Sequence, residues 1–228
     1  MINLNNIQRI YFLGIGGIGM SALARYFNLH GKTVSGYDKT PTSLTYELQK
    51  EGISITFEDS LQTLDTNAEL VIFTPAIPKD HLQYNWYLEN NYTVLKRAQI
   101  LGLAANSMFN ISVAGSHGKT STSSIVAHIL KTANKSVAAF LGGICINFNS
   151  NFLDGNEYAV AEADEFDRSF LNLEPNLANL LISYQSRDPK NLQTTLTLMH
   201  DLLFAWITER TPNLINQYQE AIDKLAEY

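Results

Sequence analysis

The stretch AGSHGKTSTSS at 114–124 follows the short apolar run ISVA and precedes a helical pattern. Gly115, Ser116, His117, Gly118, Lys119, Thr120 and Ser121 have the residue types of a phosphate-binding loop. Glycines keep such a loop open, and successive N–H groups then point at phosphate oxygens. Lys119 reaches the outer phosphates as a point charge. A lysine at a helix start opposes the helix dipole unless an anion sits there. Thr120, or Ser121 beside it, offers a hydroxyl to Mg²⁺. The spacing is shorter than G-x-x-x-x-G-K-[ST], but the physical requirements survive the difference. His117 reads equally as loop packing or as a substrate contact. Downstream, AVAEADEFDRSF places Glu162, Asp164, Glu165 and Asp167 just past an apolar run. Carboxylates this crowded repel one another unless a cation or basic group is near. Glu162 is the candidate Mg²⁺ ligand with Thr120, and Asp164 and Asp167 are candidates for supporting or substrate contacts. A solvated acidic loop is the alternative.

A second glycine-rich loop lies near the start, in GIGGIGM at 14–20. Gly14, Gly16 and Gly19 satisfy G-x-G-x-x-G between a strand and a helix, with Gly17 inside the same turn. Glycines there permit the tight turn and bring backbone N–H groups close to a diphosphate at the positive helix end. Asp38 closes the next strand, where a carboxylate can accept from a ribose hydroxyl. Alone, this pattern is the fingerprint of an NAD-dependent enzyme, yet any nucleotide diphosphate satisfies the same geometry. Nothing in an oxidoreductase explains AGSHGKTST.

Such loops need parallel strands behind them, and the pattern supplies these. RIYFLG, TVSGYD, ISITF, ELVIFT and TVLK alternate with helical segments at 18–31, 42–52 and 80–91. Thr42 or Ser43 is a candidate cap, and Gly31 and Gly52 are candidate stops. This rhythm argues for a parallel sheet with helices on both faces. It breaks near AANSMFN at 104–110 and restarts with ISVAG, a helix through SSIVAHILKTA, then SVAAFL and YAVAEAD. The expected class is therefore α/β. A Rossmann-like parallel-sheet domain at 1–104 is followed by a partial P-loop α/β domain at 105–184. NLLISY at 179–184 is one more candidate strand. Beyond it, Leu192, Leu196, Met199, Leu203 and Trp206 recur at helical spacing. Thr211-Pro212 starts a second stripe of Leu214, Tyr218, Ile222 and Leu225. A helical hairpin is predicted over 185–228, covering apolar surface of the α/β body.

Composition narrows the partners. Asp and Glu outnumber Lys and Arg by 22 to 16, a formal charge of −6 that argues against a nucleic-acid partner. The single cysteine, Cys145, rules out an intrachain disulfide and fits a reducing compartment. The apolar start is interrupted by glycines, and no stretch is long and apolar enough to span a bilayer. A soluble, cytoplasmic protein is expected.

GIGGIGMSALA, TPAIP (74–78), KRAQIL (96–101), AGSHGKTSTSS, FLGGICINFNSN (140–151) and EADEFDRSFL (162–171) occur here in the order found in the Mur ligases. The chain resembles that family from residue 6 to about 178. The resemblance implies UDP-N-acetylmuramate, rather than NAD, at Gly14, Gly16, Gly17 and Gly19, with Asp38, Thr74 and Ala76 lining the UDP site. Asn147, Asn149 and Asn151 would lie near the muramoyl end, with Asn149 a substrate contact. It implies ATP on the second loop, with Mg²⁺ on Thr120 and Glu162. The lactyl carboxylate would be phosphorylated, and the amine of L-alanine would attack the acyl phosphate. Lys119 and Glu162 would be the catalytic pair. A murein tripeptide acceptor, or a non-catalytic module holding UDP-sugar or ATP, is the alternative.

After NLEPNLA the chain departs from these ligases. Their Asp-His-Leu-Asp motif and closing third domain are not met, and His200 lies within an amphipathic pattern instead. The residues expected for adenine, alanine and closure are therefore missing, and slow or no turnover is expected of these residues alone.

Overall fold

The computed structural model describes residues 2–115, 118–163 and 169–180. Two five-stranded sheets follow one another along the chain. In the first, β1 (Arg9–Leu13), β2 (Thr33–Tyr37), β3 (Ser54–Thr56), β4 (Leu70–Phe73) and β5 (Val94–Lys96) are all parallel, in the order β3-β2-β1-β4-β5. The order reverses between β1 and β4, the crevice where open α/β sheets bind ligands. Helices α1 (Ile18–Leu29), α2 (Ser43–Lys50), α3 (Leu82–Glu89) and α4 (Arg97–Ala105) make the connections and lead to the second sheet.

That sheet contains β6 (Phe109–Ala114), β7 (Val137–Cys145), β8 (Ser150–Leu153), β9 (Tyr158–Ala163) and β10 (Leu177–Leu180), in the order β10-β6-β9-β7-β8. Helix α5 (Lys119–Thr132) follows β6. The second sheet departs from the sequence expectation in three places. β7 runs on to Cys145, beyond the SVAAFL run. It pairs antiparallel with β8, a strand the alternation of apolar runs does not announce. Its last described strand begins at Leu177, two residues before NLLISY, whose remainder lies outside the described residues. The expected helical hairpin at 185–228 also lies outside them.

The two sheets share a core. One apolar cluster runs from Ile10, Phe12 and Ile72 through Met20, Leu23 and Phe27 of α1 to Ala138, Phe140, Phe152 and Ala161 of the second sheet. Helix α1 lies between them and is buried on more than one side, which explains its near-continuous run of apolar and small residues. Tyr11, Tyr37 and Tyr87 fill a separate cluster on the other face of the first sheet. There Tyr11 donates to Gln83 Oε1 and Tyr87 to the Asp65 carbonyl, so both buried hydroxyls are satisfied. Asparagines secure the far side: Asn106 donates to the Asn172 carbonyl and accepts from Glu174 N–H, and Asn110 and Asn176 bond through side chain and backbone.

The helix starts differ in a way that bears on function. α2 has a reciprocal capping box between Thr42 and Thr45. α3 is capped by His81, and Asp59 accepts from the N–H groups of Leu82 and Gln83. α1 and α5 begin after Gly17 and Gly118 with no side-chain cap. Among the described residues no helix is long and apolar enough to cross a membrane.

His81 carries a measurable consequence. Its Nδ1 lies 3.3 Å from Tyr84 N and 3.2 Å from Asp59 Oδ1, while its Nε2 is buried without a partner among the described residues. Burial pushes the imidazole below its ordinary value, with Asp59 and then Asp80 pulling the other way. A depressed folded-state value makes the unfolded chain the stronger proton binder. The contribution is therefore present above about pH 6.5 and lost as pH falls through the window below it. The gap in unfolding free energy between wild type and His81→Gln should narrow between about pH 7 and pH 5, as read by urea melts at each pH.

Candidate functional site

The first loop is set by its own chain. Gly14 and Ile15 N–H groups donate to the Tyr37 carbonyl at 2.8 and 3.0 Å. Gly16 N–H donates to Asp38 Oδ2 at 2.7 Å, and Gly17 N–H to the Gly14 carbonyl at 3.2 Å. Gly14 has φ 85°, and a Cβ there would lie 2.6 Å from Thr74 Cγ2. The first helical bond of α1 runs from Ser21 N–H to the Gly17 carbonyl. The N–H groups of Ile18, Gly19 and Met20 therefore have no intrahelical acceptor. All three residues line a cavity of about 600 Å³. An anion would meet the first turn of α1 there, at the positive end of the helix, with the glycine loop as support behind it.

The rest of the lining comes from both sheets. Thr74, Pro75 and Ala76 follow β4, and Arg97 and Leu101 belong to α4. The Arg97 guanidinium packs over Gly19, where an added Cβ would lie 2.9 Å from Nη1. Phe140, Leu141 and Gly142 of β7 and Glu162 of β9 form the opposite wall. Arg97 escaped the residue-by-residue reading, although it stands within KRAQIL, and its position over a glycine distant in sequence is a tertiary fact.

Glu162 joins this wall to the second loop. Its Oε1 accepts from Gly142 N–H at 2.8 Å and from Ser123 Oγ at 3.0 Å, and its Oε2 from Thr120 Oγ1 at 3.2 Å. Thr120 and Ser123 lie one turn apart on α5, which brings both hydroxyls to one carboxylate. Ser123 is buried and was also missed by sequence reasoning; its spacing from Thr120 is the signal that could have found it. Gly118 has φ 78°, turning the chain into α5 in a conformation that side chains rarely adopt. Lys119 Nζ donates to the Gly115 carbonyl at 2.7 Å, folding its charge over the loop. Ser121 is exposed in the first turn of α5.

The structure thus brings Gly17, Gly19, Thr74, Ala76 and Glu162 to one cavity, with Thr120 bonded to Glu162. Gly14 and Gly16 shape the wall from behind. The Asp38 carboxylate serves the loop itself and also accepts from Thr40 N–H. Asn149 is exposed on the β7–β8 turn with φ 49°, outside the cavity lining. Asn151 is buried against α1 and bonded to Arg25, Ile18 and Ser21. Ser116, His117, Asp164, Glu165 and Asp167 lie outside the described residues. Among the described residues no group of three His, Cys, Asp or Glu side chains gathers to hold a metal. The Thr120 hydroxyl and Glu162 carboxylate are nonetheless hard oxygen donors in contact, a pair that suits Mg²⁺ completed by water and phosphate.

Tandem α/β units, helix starts at α1 and α5 without a side-chain cap, and a carboxylate tied to the second loop make an arrangement suited to phosphate-bearing ligands. The family described as "Mur ligase family, catalytic domain" matches residues 9–108. The UDP-N-acetylmuramate–L-alanine ligase of Flavobacterium johnsoniae is 54% identical over 182 residues, covering 78% of this chain and 40% of that protein. That of Flavobacterium psychrophilum is 55% identical over 182 residues, covering 78% and 41%. Among solved structures, the UDP-N-acetylmuramate-alanine ligase of Thermotoga maritima is similar with a TM-score of 0.72 at 29% identity, covering 96% of this chain and 47% of that one. A murein peptide ligase from Psychrobacter arcticus gives 0.68 at 27% identity, covering 76% and 43%. The chain belongs to the Mur ligase family. It spans about two fifths of the length of the curated relatives it matches.

Gly142 tests the carboxylate junction. A Cβ there would lie 2.6 Å from Glu162 Oε2, so Gly142→Ala should swing Glu162 away from Thr120. The expected outcome is a loss of about tenfold in Mg²⁺-dependent ATP-analogue affinity with little change in melting temperature, measured by calorimetry and thermal melts.

Proposed function

We propose that this chain is the sugar-nucleotide and ATP-phosphate portion of an ATP-dependent amide ligase of peptidoglycan precursor synthesis, working in the cytoplasm. The ligase joins L-alanine to the lactyl carboxylate of UDP-N-acetylmuramate. The observation that carries this reading is the single cavity with the acceptor-less N–H groups of α1 on one wall and Glu162 on the other. Residues 1–104 would hold the UDP-sugar and residues 105–184 the ATP phosphates.

In this reading the diphosphate lies at the N–H groups of Ile18, Gly19 and Met20, beside the Arg97 guanidinium. The sugar extends past Thr74 and Ala76 toward Phe140 and Gly142, which aims its lactyl carboxylate at the second loop. Gly115, Ser116, His117 and Gly118 cradle the triphosphate, and Lys119 exchanges its bond to the Gly115 carbonyl for a phosphate oxygen. A carboxylate oxygen attacks the γ-phosphorus, and ADP leaves with the bonding pair. The alanine amine then attacks the acyl carbon, inorganic phosphate departs, and the nitrogen gives up a proton. Mg²⁺ held by Thr120 and Glu162 would offset charge on the transferring phosphoryl group. The choice of L-alanine over a murein peptide rests on the curated relatives above 50% identity, since the solved structures of the two ligases stand at a similar 29% and 27%.

Calorimetry on the 228-residue chain separates the readings. UDP-N-acetylmuramate should bind and NAD should not; the reverse would overturn the proposal. Lys119→Ala should weaken MgATP by about tenfold or more and leave the sugar nucleotide within about twofold. Arg97→Ala should show the opposite pattern.

A further inference from the structure

The two walls of the cavity belong to different sheets, and apolar packing alone leaves such faces free to slide. Phe27, Phe140 and Phe152 fix how close α1 and the second sheet come, but dispersion contacts have no direction. One buried polar group breaks this degeneracy. Asn151 of β8 is fully buried. Its Nδ2 donates to the Ile18 carbonyl at 2.6 Å and to Ser21 Oγ at 2.9 Å. Its Oδ1 accepts from Arg25 Nη1. The amide has one possible orientation, because a carbonyl only accepts and a guanidinium only donates. Arg25 is itself buried and held from the other side by Glu51 at 2.7 Å and by Glu47 at 3.3 Å.

Each end of this contact leads to the site. Ile18 belongs to the first turn of α1, whose N–H groups face the cavity. β8 pairs with β7, whose Gly142 N–H holds Glu162. We propose that Asn151, braced by Arg25, is a positioning residue that sets the register of the α1 anion site against the Glu162–Thr120 pair across the cavity. The inference rests on the functional reading above in taking the ligand to be one that touches both walls. Its role is neither a place beside the muramoyl end, which the resemblance implied for Asn151, nor mere filling of the interface.

The test uses Asn151→Asp in the full chain. The aspartate keeps an acceptor for Arg25, loses both donors, and turns an oxygen toward the Ile18 carbonyl. One readout needs no ligand. Spin labels at Tyr46→Cys and Thr132→Cys, both exposed, in a Cys145→Ser background report the separation of α2 and α5. Wild type should give one narrow distance distribution and N151D a broadened one. The other readout compares UDP-N-acetylmuramate, which spans the cavity, with UDP, which meets only the α1 wall. N151D should lose about tenfold in affinity for the first and less than about twofold for the second. Glu47→Ala, which removes only the half-exposed outer arm, should match wild type in both.

A narrow N151D distribution overturns the proposal, as does broadening with an unchanged affinity ratio, or equal loss of both ligands. If wild type binds neither ligand, the functional reading fails, while the distance comparison still decides whether Asn151 sets the register. Ser21→Ala, which removes one acceptor and buries no new charge, carries the same comparison if N151D does not fold. Its two readouts should move the same way by a smaller factor, and wild-type values in both overturn the proposal.

Discussion

A loop that follows a parallel strand has left the ladder, so its N–H groups can turn onto a ligand. Both sheets of this chain follow that pattern, and their strand ends face one another. The lining residues after β1, β4 and β5 come from the carboxyl edge of the first sheet. Glu162 stands one residue before the end of β9, and the Gly115 loop follows β6 at the same edge of the second sheet. Had either sheet been turned around, the cavity would be lined by strand starts and helix carboxyl ends, whose carbonyls repel anions. The antiparallel β8 belongs to this arrangement. It carries the second sheet back along α1, which lets one residue of a peripheral hairpin reach the helix that heads the anion site.

The balance of polar groups at the site follows the same logic. α2 and α3 satisfy their first N–H groups with Thr42, His81 and Asp59. α1 and α5 have no side-chain cap. Three donors from two elements hold Glu162 in place before any cation arrives. A carboxylate so held offers a fixed ligand geometry, which suits a small ion that tolerates little distortion.

Most of the first sheet was legible in the sequence because its signals are local: short apolar runs, capped helices, and glycines at turns. RIYFLG, TVSGYD and ELVIFT fall on β1, β2 and β4 within a residue or so at each end. The second glycine loop was legible in its residue types, and Thr120 and Glu162 do meet. β8 was hidden because SNFL is only four residues long and half polar, and its turn depends on Asn149 at positive φ. Arg97 and Ser123 were hidden for a different reason. Each acts through a neighbour distant in sequence, and periodicity reports which face a residue occupies but never which group waits there. Asn151 shows the same limit: the motif that contains it was recognised, while its partner on α1 could be seen only in three dimensions.

The glycine loop ahead of α1 has already made its internal bonds, from Gly14 and Ile15 to Tyr37 and from Gly16 to Asp38. On the proposed reading, an incoming diphosphate would meet a turn whose own bonds are already made. Sugar nucleotides that share the diphosphate would then arrive at similar speeds and be told apart by how long each one stays.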